Sequence, residues 1–161
     1  MNHFNTPEKY HNDHQVVWCN SETDILKCHR LMVQLVGPMT GAEFTHRVSE
    51  QMKEGYQLVS LYSGDLLATV AGFKIIRTLS WGKILFLDDL VTDAPVRGMG
   101  YGTAMLRWIK EYAQKNGCHQ LHLDSGINRK DAHRFYSRQD LEITCYHYSS
   151  PLKDGQIPLI P

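Results

Sequence analysis

Three glycines at alternate positions, Gly98, Gly100 and Gly102, give the chain a loop suited to an anionic ligand. Glycine lets the backbone approach a ligand closely because no Cβ atom stands in the way. An amphipathic helix is predicted over Thr103–Asn116, directly after this loop. The first N–H groups of a helix are unpaired and carry partial positive charge. Loop and helix start together therefore predict a phosphate cradle, with Arg97 at its entrance.

Two other phosphate-binding loops share part of this pattern. A Walker A loop ends in Gly-Lys-Ser or Gly-Lys-Thr, and that ending is missing here. A dinucleotide-binding loop is the stronger alternative, because Gly98-Met99-Gly100 precedes a helix and Asp124 follows at a predicted strand end. Against it, position 103 is Thr where a third glycine would stand, and the preceding strand ends several residues before the loop.

Two adjacent carboxylates, Asp88 and Asp89, lie inside the strongly apolar predicted strand Lys83–Thr92. An ionised carboxylate among apolar residues is costly unless it has a partner or a function. Because successive side chains of a strand point to opposite faces, we expect only one of the two to reach a reaction centre directly. One interpretation is a general base. The other is a pair of carboxylates at the solvent edge, or bound to Lys83 or an arginine.

The elements that must position these residues form one predicted domain of mixed α/β architecture, in the order β-α-α-β-β-β-α-β-α-β. The predicted strands are Gln15–Cys19, Tyr56–Tyr62, Leu66–Arg77, Lys83–Thr92, His119–Leu123 and Glu142–Tyr148. Helices are predicted from Ser21 or Thr23 to Leu35, and over Ala42–Glu54, Thr103–Asn116 and Ala132–Arg138. We interpret residues 1–14 as a flexible lead-in, 15–150 as the domain and 151–161 as a tail.

Composition and charge narrow the class of protein. The chain has 161 residues, of which 42% are hydrophobic and 21% charged, enough for an apolar core. Its 17 basic and 17 acidic residues balance, which argues against a general nucleic-acid binder. Residues 97–138 carry 8 basic and 3 acidic side chains. This excess of positive charge indicates either a site for an anionic ligand or an ordinary uneven distribution of surface charge.

The sequence also gives expectations for cellular location and metal binding. Apolar stretches are too short to span a bilayer, and no signal sequence opens the chain, so we expect a cytoplasmic protein without a membrane partner. Four cysteines without a CxxC pair predict reduced thiols and no metal site.

The loop Arg97–Gly102, with the sequence RGMGYG, resembles the Arg/Gln-x-x-Gly-x-Gly/Ala signature of the GCN5-related N-acetyltransferases, the GNAT family. Lys83–Thr92 lies where that family has its central splayed strand. Ala132–Tyr136 is similar to its late helix ending in a Phe/Leu-Tyr pair. The stretch Gly82–Gly102 is particularly similar to diamine acetyltransferases of the spermidine/spermine type. Over about Val16–Tyr148, the resemblance implies a single GNAT-like domain with a mixed, mostly antiparallel central sheet flanked by helices.

The resemblance also implies acetyl-CoA as the co-substrate, its pyrophosphate bound by the backbone amides of the loop. A backbone N–H near Leu90–Val91 is expected to stabilise the oxyanion. An asparagine of the family usually lies seven residues before the tyrosine, where this chain has Arg129 with Asn128 beside it, so either residue is a candidate for contact with the pantetheine arm. The expected donor-binding residues are Leu90, Val91, Thr92, Arg97, Gly98, Met99, Gly100, Tyr101, Gly102, Thr103, Asn128 and Arg129.

Three side chains are expected to take part in acetyl transfer. A primary amine with a pKa of about 10.4 is protonated at neutral pH and must lose a proton before it attacks. Similarity to the diamine enzymes favours Asp88 as the carboxylate that accepts this proton, with Asp89 as the alternative. The phenol of Tyr136 stays protonated and can donate to the departing sulfur, unless it is simply a half-buried core tyrosine. Cys118 has no supporting constellation, so direct transfer is expected.

The sequence therefore predicts an enzyme that acetylates a primary amine of a small molecule or a lysine-like acceptor. Asp88, Asp89 and Asp93 hint at a cationic acceptor. A non-catalytic sensor that binds CoA or a nucleotide remains the alternative, because it needs the loop but neither Asp88 nor Tyr136. A homodimer is possible by resemblance, although no sequence feature specifies an interface.

Overall fold

A five-stranded sheet in the order β1-β2-β3-β4-β5 forms the centre of the molecule. The computed structural model describes residues 14–152. Neighbouring strands are antiparallel from β1 to β4, and β5 is parallel to β4. The strands are β1 (His14–Trp18), β2 (Gln57–Ser63), β3 (Leu66–Thr78), β4 (Gly82–Thr92) and β5 (Gln120–Leu123). The predicted mixed, mostly antiparallel sheet flanked by helices is confirmed.

Four helices begin where capping residues and apolar periodicity predict them, to within a few positions. The N-terminal helix starts after Ser21, whose hydroxyl accepts a hydrogen bond from the Asp24 N–H, and the second starts after Thr40 in the same way. The helices are α1 (Glu22–Val36), α2 (Gly41–Lys53), α3 (Tyr101–Lys115) and α4 (Lys130–Arg138). Within the described residues, no helix is long and apolar enough to cross a membrane.

Apolar side chains pack on both faces of the sheet. On one face, α1 and α2 cover a cluster that includes Ile25, Leu31, Phe44, Leu58, Val70 and Val91. On the other face, α3 covers a cluster that includes Val59, Phe73, Leu85, Leu87, Met105 and Ile109. Burial of one such side chain stabilises the fold by roughly 1.5–3 kcal/mol. Because β4 contributes to both clusters, its backbone is held firmly where it leaves the core.

Strand β4 contains a β-bulge at Asp88. In the pairing with β3, Phe73 lies opposite Leu87 and Gly72 lies opposite Asp89, which leaves Asp88 as an extra residue. Leu87 and the next apolar residue, Leu90, both pack on the α3 face, although strict alternation would put them on opposite faces. The expectation that Asp88 and Asp89 simply alternate is therefore wrong, because it assumed an unbroken strand.

The two ends of the domain differ from the prediction. Residues 142–152 form neither strand nor helix and are exposed, so the predicted strand Glu142–Tyr148 is wrong. Its β-branched and aromatic residues favour extended structure, but a strand also needs a hydrogen-bonding neighbour. His147 Nδ1 lies 2.9 Å from Asp124 Oδ2, just after β5. At the other end, His14 belongs to β1 and not to the lead-in. Residues 1–13 and 153–161, with most of the predicted lead-in and tail, lie outside the described residues.

Candidate active site

A cleft of about 480 Å³ opens where β4 ends and α3 begins. Strand β5 pairs with β4 only as far as Leu123, opposite Leu87, so β4 has no described neighbour on that side beyond this point. The open edge of β4, the start of α3 and one side of α4 form the walls. Ten of the predicted site residues line the cleft: Leu90, Thr92, Arg97, Gly98, Gly100, Tyr101, Gly102, Thr103, Arg129 and Tyr136.

The glycine loop has the backbone geometry of an anion cradle. Gly98 and Gly100 adopt φ values of 80° and 89°, which side chains other than glycine rarely tolerate. A Cβ atom added at either position would find no heavy atom within 4 Å, so the loop borders open space. The first hydrogen bond of α3 runs from Ala104 N to Gly100 O at 3.0 Å. The N–H groups of 101–103 precede the helical ladder and can donate to an anion.

Gly102 lets the start of α3 pack closely against both other walls. A Cβ atom there would lie 3.2 Å from Thr92 Oγ1 and 3.5 Å from Phe135 Cζ. A Cβ atom at this position would therefore crowd Thr92 and fill the remaining space beside Phe135. The third glycine of the loop therefore allows close packing, whereas the first two allow backbone conformations with positive φ.

A network from α1 holds the loop in place. Asp93 is buried, with Oδ2 2.7 Å from Arg30 Nη1, and its Oδ1 accepts a 2.9 Å hydrogen bond from Gln34 Nε2. Gln34 Oε1 in turn accepts hydrogen bonds from Ala94 N at 3.1 Å and from Arg97 Nη2 at 3.3 Å. The Gln34 hydrogen bond, followed by the contact with Arg30, lowers the pKa of Asp93. This carboxylate is already paired, so it is not available to attract a cationic acceptor.

Tyr136 lies on α4 and lines the cleft half-buried. Burial raises the pKa of its phenol above the ordinary value, and the nearby charge of Arg129 opposes part of that change. The hydroxyl is therefore protonated at neutral pH and is chemically able to act as an acid.

The two adjacent carboxylates have different environments. Asp89 is largely enclosed and accepts a 2.7 Å hydrogen bond from Tyr56 Oη. Burial raises the pKa of Asp89 while this hydrogen bond opposes the change, and burial raises the pKa of Tyr56 well above its usual range. Asp88 reaches solvent, yet partial desolvation, followed by the neighbouring charge of Asp89, raises its pKa to about 6. Lys74 opposes that change.

Three predicted donor-binding residues do not line the main cleft with their side chains. Val91 is 4% exposed and packs in the cluster under α1. Met99 points into solvent with 64% of its surface exposed. Asn128 lines a second, smaller cavity beside the main one.

Residues remote in sequence complete the site, and no local motif points to them. Gln34 comes from α1, about 60 residues before the loop. Gln139 follows α4 and donates a 3.2 Å hydrogen bond to Thr103 Oγ1. The ring of His14 lies edge-on to Tyr101, with 5.3 Å between centroids. Within residues 14–152, no group of three or more His, Cys, Asp or Glu side chains is placed to hold a metal ion.

The fold agrees with comparisons to known proteins. The model of the acetyltransferase (GNAT) family matches residues 30–140, well over half of the chain. The chain therefore belongs to the GNAT acetyltransferase family, and the predicted enzyme class is confirmed.

Two curated relatives carry N-acetyltransferase names. The uncharacterized N-acetyltransferase YhdJ of Bacillus subtilis is 37% identical over 101 residues, which cover 62% of this chain and 71% of that protein. The aminoalkylphosphonate N-acetyltransferase of Salmonella typhimurium is 33% identical over 66 residues, which cover 41% of this chain and 43% of that protein.

Solved structures share the fold at low sequence identity. AAC(6')-Iy, solved in complex with the bisubstrate analogue CoA-S-monomethyl-acetylneamine, matches with a TM-score of 0.74 at 12% identity, covering 87% of this chain and 98% of that one. A GNAT family acetyltransferase of Staphylococcus aureus matches with a TM-score of 0.72 at 16% identity, covering 87% of this chain and 99% of that one.

Proposed function

We propose that this protein transfers the acetyl group of acetyl-CoA directly to a primary amine of a small, cationic molecule. The observation that carries the proposal is a cleft that has both the anion cradle at the start of α3 and Tyr136 among its lining residues. The two carboxylates are not part of that lining, and they directly precede its β4 residues Leu90 and Thr92 along the strand. Family membership supports the reaction class, and this placement suggests a role for each group.

The cradle suits the diphosphate of acetyl-CoA. Its donors are backbone N–H groups at a helix start, and the space beside Gly98 and Gly100 is open. Bound acetyl-CoA supplies the thioester carbonyl that the amine attacks. Strand β5 pairs with β4 only as far as Leu87, and the proposed donor to the oxyanion is a backbone N–H near Leu90–Val91, beyond that point.

Asp88 is the proposed base. Deprotonating an amine of pKa about 10.4 at pH 7 costs roughly 4.6 kcal/mol, so a proton acceptor near the amine is valuable. With a pKa of about 6, Asp88 is mostly ionised at neutral pH and still more basic than an ordinary aspartate. Asp89 is less suited, because its carboxylate is enclosed and already accepts from Tyr56.

The proposed step balances in atoms and charge. The amine nitrogen forms a bond to the acetyl carbon, and the bond from that carbon to sulfur breaks. The ammonium proton passes to Asp88, directly or through water, and Tyr136 donates its proton to the departing thiolate. The nitrogen releases its second proton to solvent as the amide forms. Exchange with solvent then restores Asp88 and Tyr136. The products are an N-acetylated amine and free CoA.

Two observations support a small-molecule acceptor. The Salmonella relative is named for an aminoalkylphosphonate, and the structural neighbour AAC(6')-Iy was solved with an acetylneamine analogue. Asp88 and Asp89 lie on β4 directly before the cleft residue Leu90, and their negative charge near that part of the cleft would favour a cationic amine.

An amine panel assayed for free CoA tests the proposal. The full chain and acetyl-CoA are incubated separately with diamines, polyamines, aminoalkylphosphonates and aminoglycosides. A colorimetric thiol reagent measures the CoA that is released. At least one primary amine is expected to release CoA and to yield its acetylated form by mass spectrometry. The N,N-dimethyl analogue of each active amine is the matched control and must be inert. Binding of acetyl-CoA without release from any amine would contradict the proposal.

A further inference from the structure

A second cavity of about 390 Å³ adjoins the donor cleft and is strongly basic. Its walls are Arg97 at the entrance of the glycine loop and the segment from Asn128 into the first turns of α4. The cationic residues that line it are Arg97, Arg129, Lys130 and Arg134. Asp131 is the acidic residue in this lining, and it is paired with Arg134. The four cations and one anion leave a local excess of positive charge.

The two cavities are continuous. Arg97, Arg129, Asp131 and Ala132 line both of them, so the basic groove begins where the anion cradle ends. Leu90, Thr92 and Tyr136, which line the cleft nearer the proposed reaction centre, do not line the basic groove. The groove therefore lies at the end of the site remote from β4 and its carboxylates.

Helix geometry places two of these cations together. Lys130 and Arg134 are four residues apart on α4 and so share one face of the helix. Arg134 uses part of its fork of donors on Asp131, and the remaining N–H groups are available. Both side chains are exposed and have room to close on a ligand.

We propose that this groove binds the 3′-phosphate on the ribose of acetyl-CoA and makes the enzyme selective for CoA over 3′-dephospho-CoA. The inference rests on the proposed function, because it takes the diphosphate to lie on the glycine loop. The ribose is attached directly to that diphosphate, so its 3′-phosphate lies next to the loop and on the side away from the thioester. A phosphate monoester carries close to two negative charges at neutral pH, and Lys130, Arg134 and Arg129 are the cations that face it.

Calorimetric titration of the full chain with CoA and with 3′-dephospho-CoA tests this proposal. The unmodified protein should bind CoA roughly tenfold or more tightly than 3′-dephospho-CoA, as expected for charge-assisted hydrogen bonds. Lys130→Gln together with Arg134→Gln should remove most of that preference by weakening CoA alone. Lys130→Gln by itself, which leaves the Arg134 pair with Asp131 intact, should remove part of it. Lys115→Gln on the last turn of α3 removes one exposed charge outside both cavities and is the control.

Several results would overturn the inference. Equal affinity of the unmodified protein for the two ligands would show that the 3′-phosphate is not recognised. An equal loss of affinity for both ligands in the double variant would show that the groove attracts anions in general and does not recognise the 3′-phosphate. A changed KM for the amine with unchanged CoA affinity would assign it to an anionic acceptor. If the unmodified protein bound neither ligand, the proposal that acetyl-CoA is the acetyl donor would itself be contradicted. That result differs from equal binding of both ligands.

Discussion

Tyr56 Oη donates a 2.7 Å hydrogen bond to Asp89 Oδ2 across the surface of Gly72. Tyr56 directly precedes β2, Gly72 lies on β3 and Asp89 lies on β4, so the tyrosine spans one whole strand. A Cβ atom at Gly72 would lie 1.7 Å from Tyr56 Oη, which shows why glycine is needed there. The hydrogen bond ends at the β-bulge that carries Asp88, and it fixes the strand where the proposed base departs from the regular pleat.

Replacing Gly72 with alanine should expel the Tyr56 ring. The clash involves the end of a buried, rigid aromatic side chain, and overpacking of this kind typically costs about 1–3 kcal/mol. Urea unfolding of G72A at pH 7.5 measures the loss. The double variant G72A/Y56F removes the hydroxyl that clashes most and should recover part of the stability. No loss in G72A would show that the tyrosine can move freely.

Tyr56→Phe should destabilise the protein in a pH-dependent way. The variant leaves the enclosed Asp89 carboxylate without its donor, at a cost of about 1–3 kcal/mol. The hydrogen bond lowers the pKa of Asp89, so its loss raises that pKa further. The stability difference should therefore be largest above the pKa of Asp89 and shrink as the pH falls and the carboxyl becomes protonated. Urea unfolding at a series of pH values from 8 downwards measures how the stability difference changes. A difference that grows towards low pH would contradict this role.

Asp88→Asn should remove the acid limb of the rate profile. A base must be deprotonated, so kcat of the unmodified enzyme should fall as the pH drops through about 6, the pKa of Asp88. Without the base, turnover should decrease by roughly 10²–10⁴-fold. Asp124→Asn is the matched control, because the charge of Asp124 helps to raise the pKa of Asp88. That variant should stay active and shift the limb to lower pH. An unshifted limb in D88N would exclude Asp88 as the base.

Tyr136→Phe should separate donor binding from turnover. The variant keeps the ring that packs at the cleft and loses only the hydroxyl, so affinity for CoA should change little. Turnover should fall by roughly 10²-fold or more, as for removal of a general acid. Calorimetry with CoA and the thiol-release assay measure the two effects. Unchanged turnover would leave Tyr136 as a packing residue.

Local patterns in the sequence predicted the glycine loop, the four helices to within a few positions and the five strands that form the sheet. These features follow from periodicity, capping and backbone freedom, all of which act over a few residues. The strand predicted at Glu142–Tyr148 was wrong for the same reason, since local propensity cannot supply a neighbouring strand.

The sequence by itself determined the helices, the strands of the sheet and the glycine loop before α3. Only the tertiary structure decided how those groups are paired. The strand pairs around the bulge at Asp88, the hydrogen bond from Tyr56 to Asp89 and the hydrogen bond from Arg97 to Gln34 join residues 14 to 63 positions apart. Such contacts depend on which strands and helices pack together, and that packing is the collective result of burial across the whole core. It is this packing that separates Asp89, enclosed and hydrogen-bonded, from Asp88, partly exposed and suited to accept a proton.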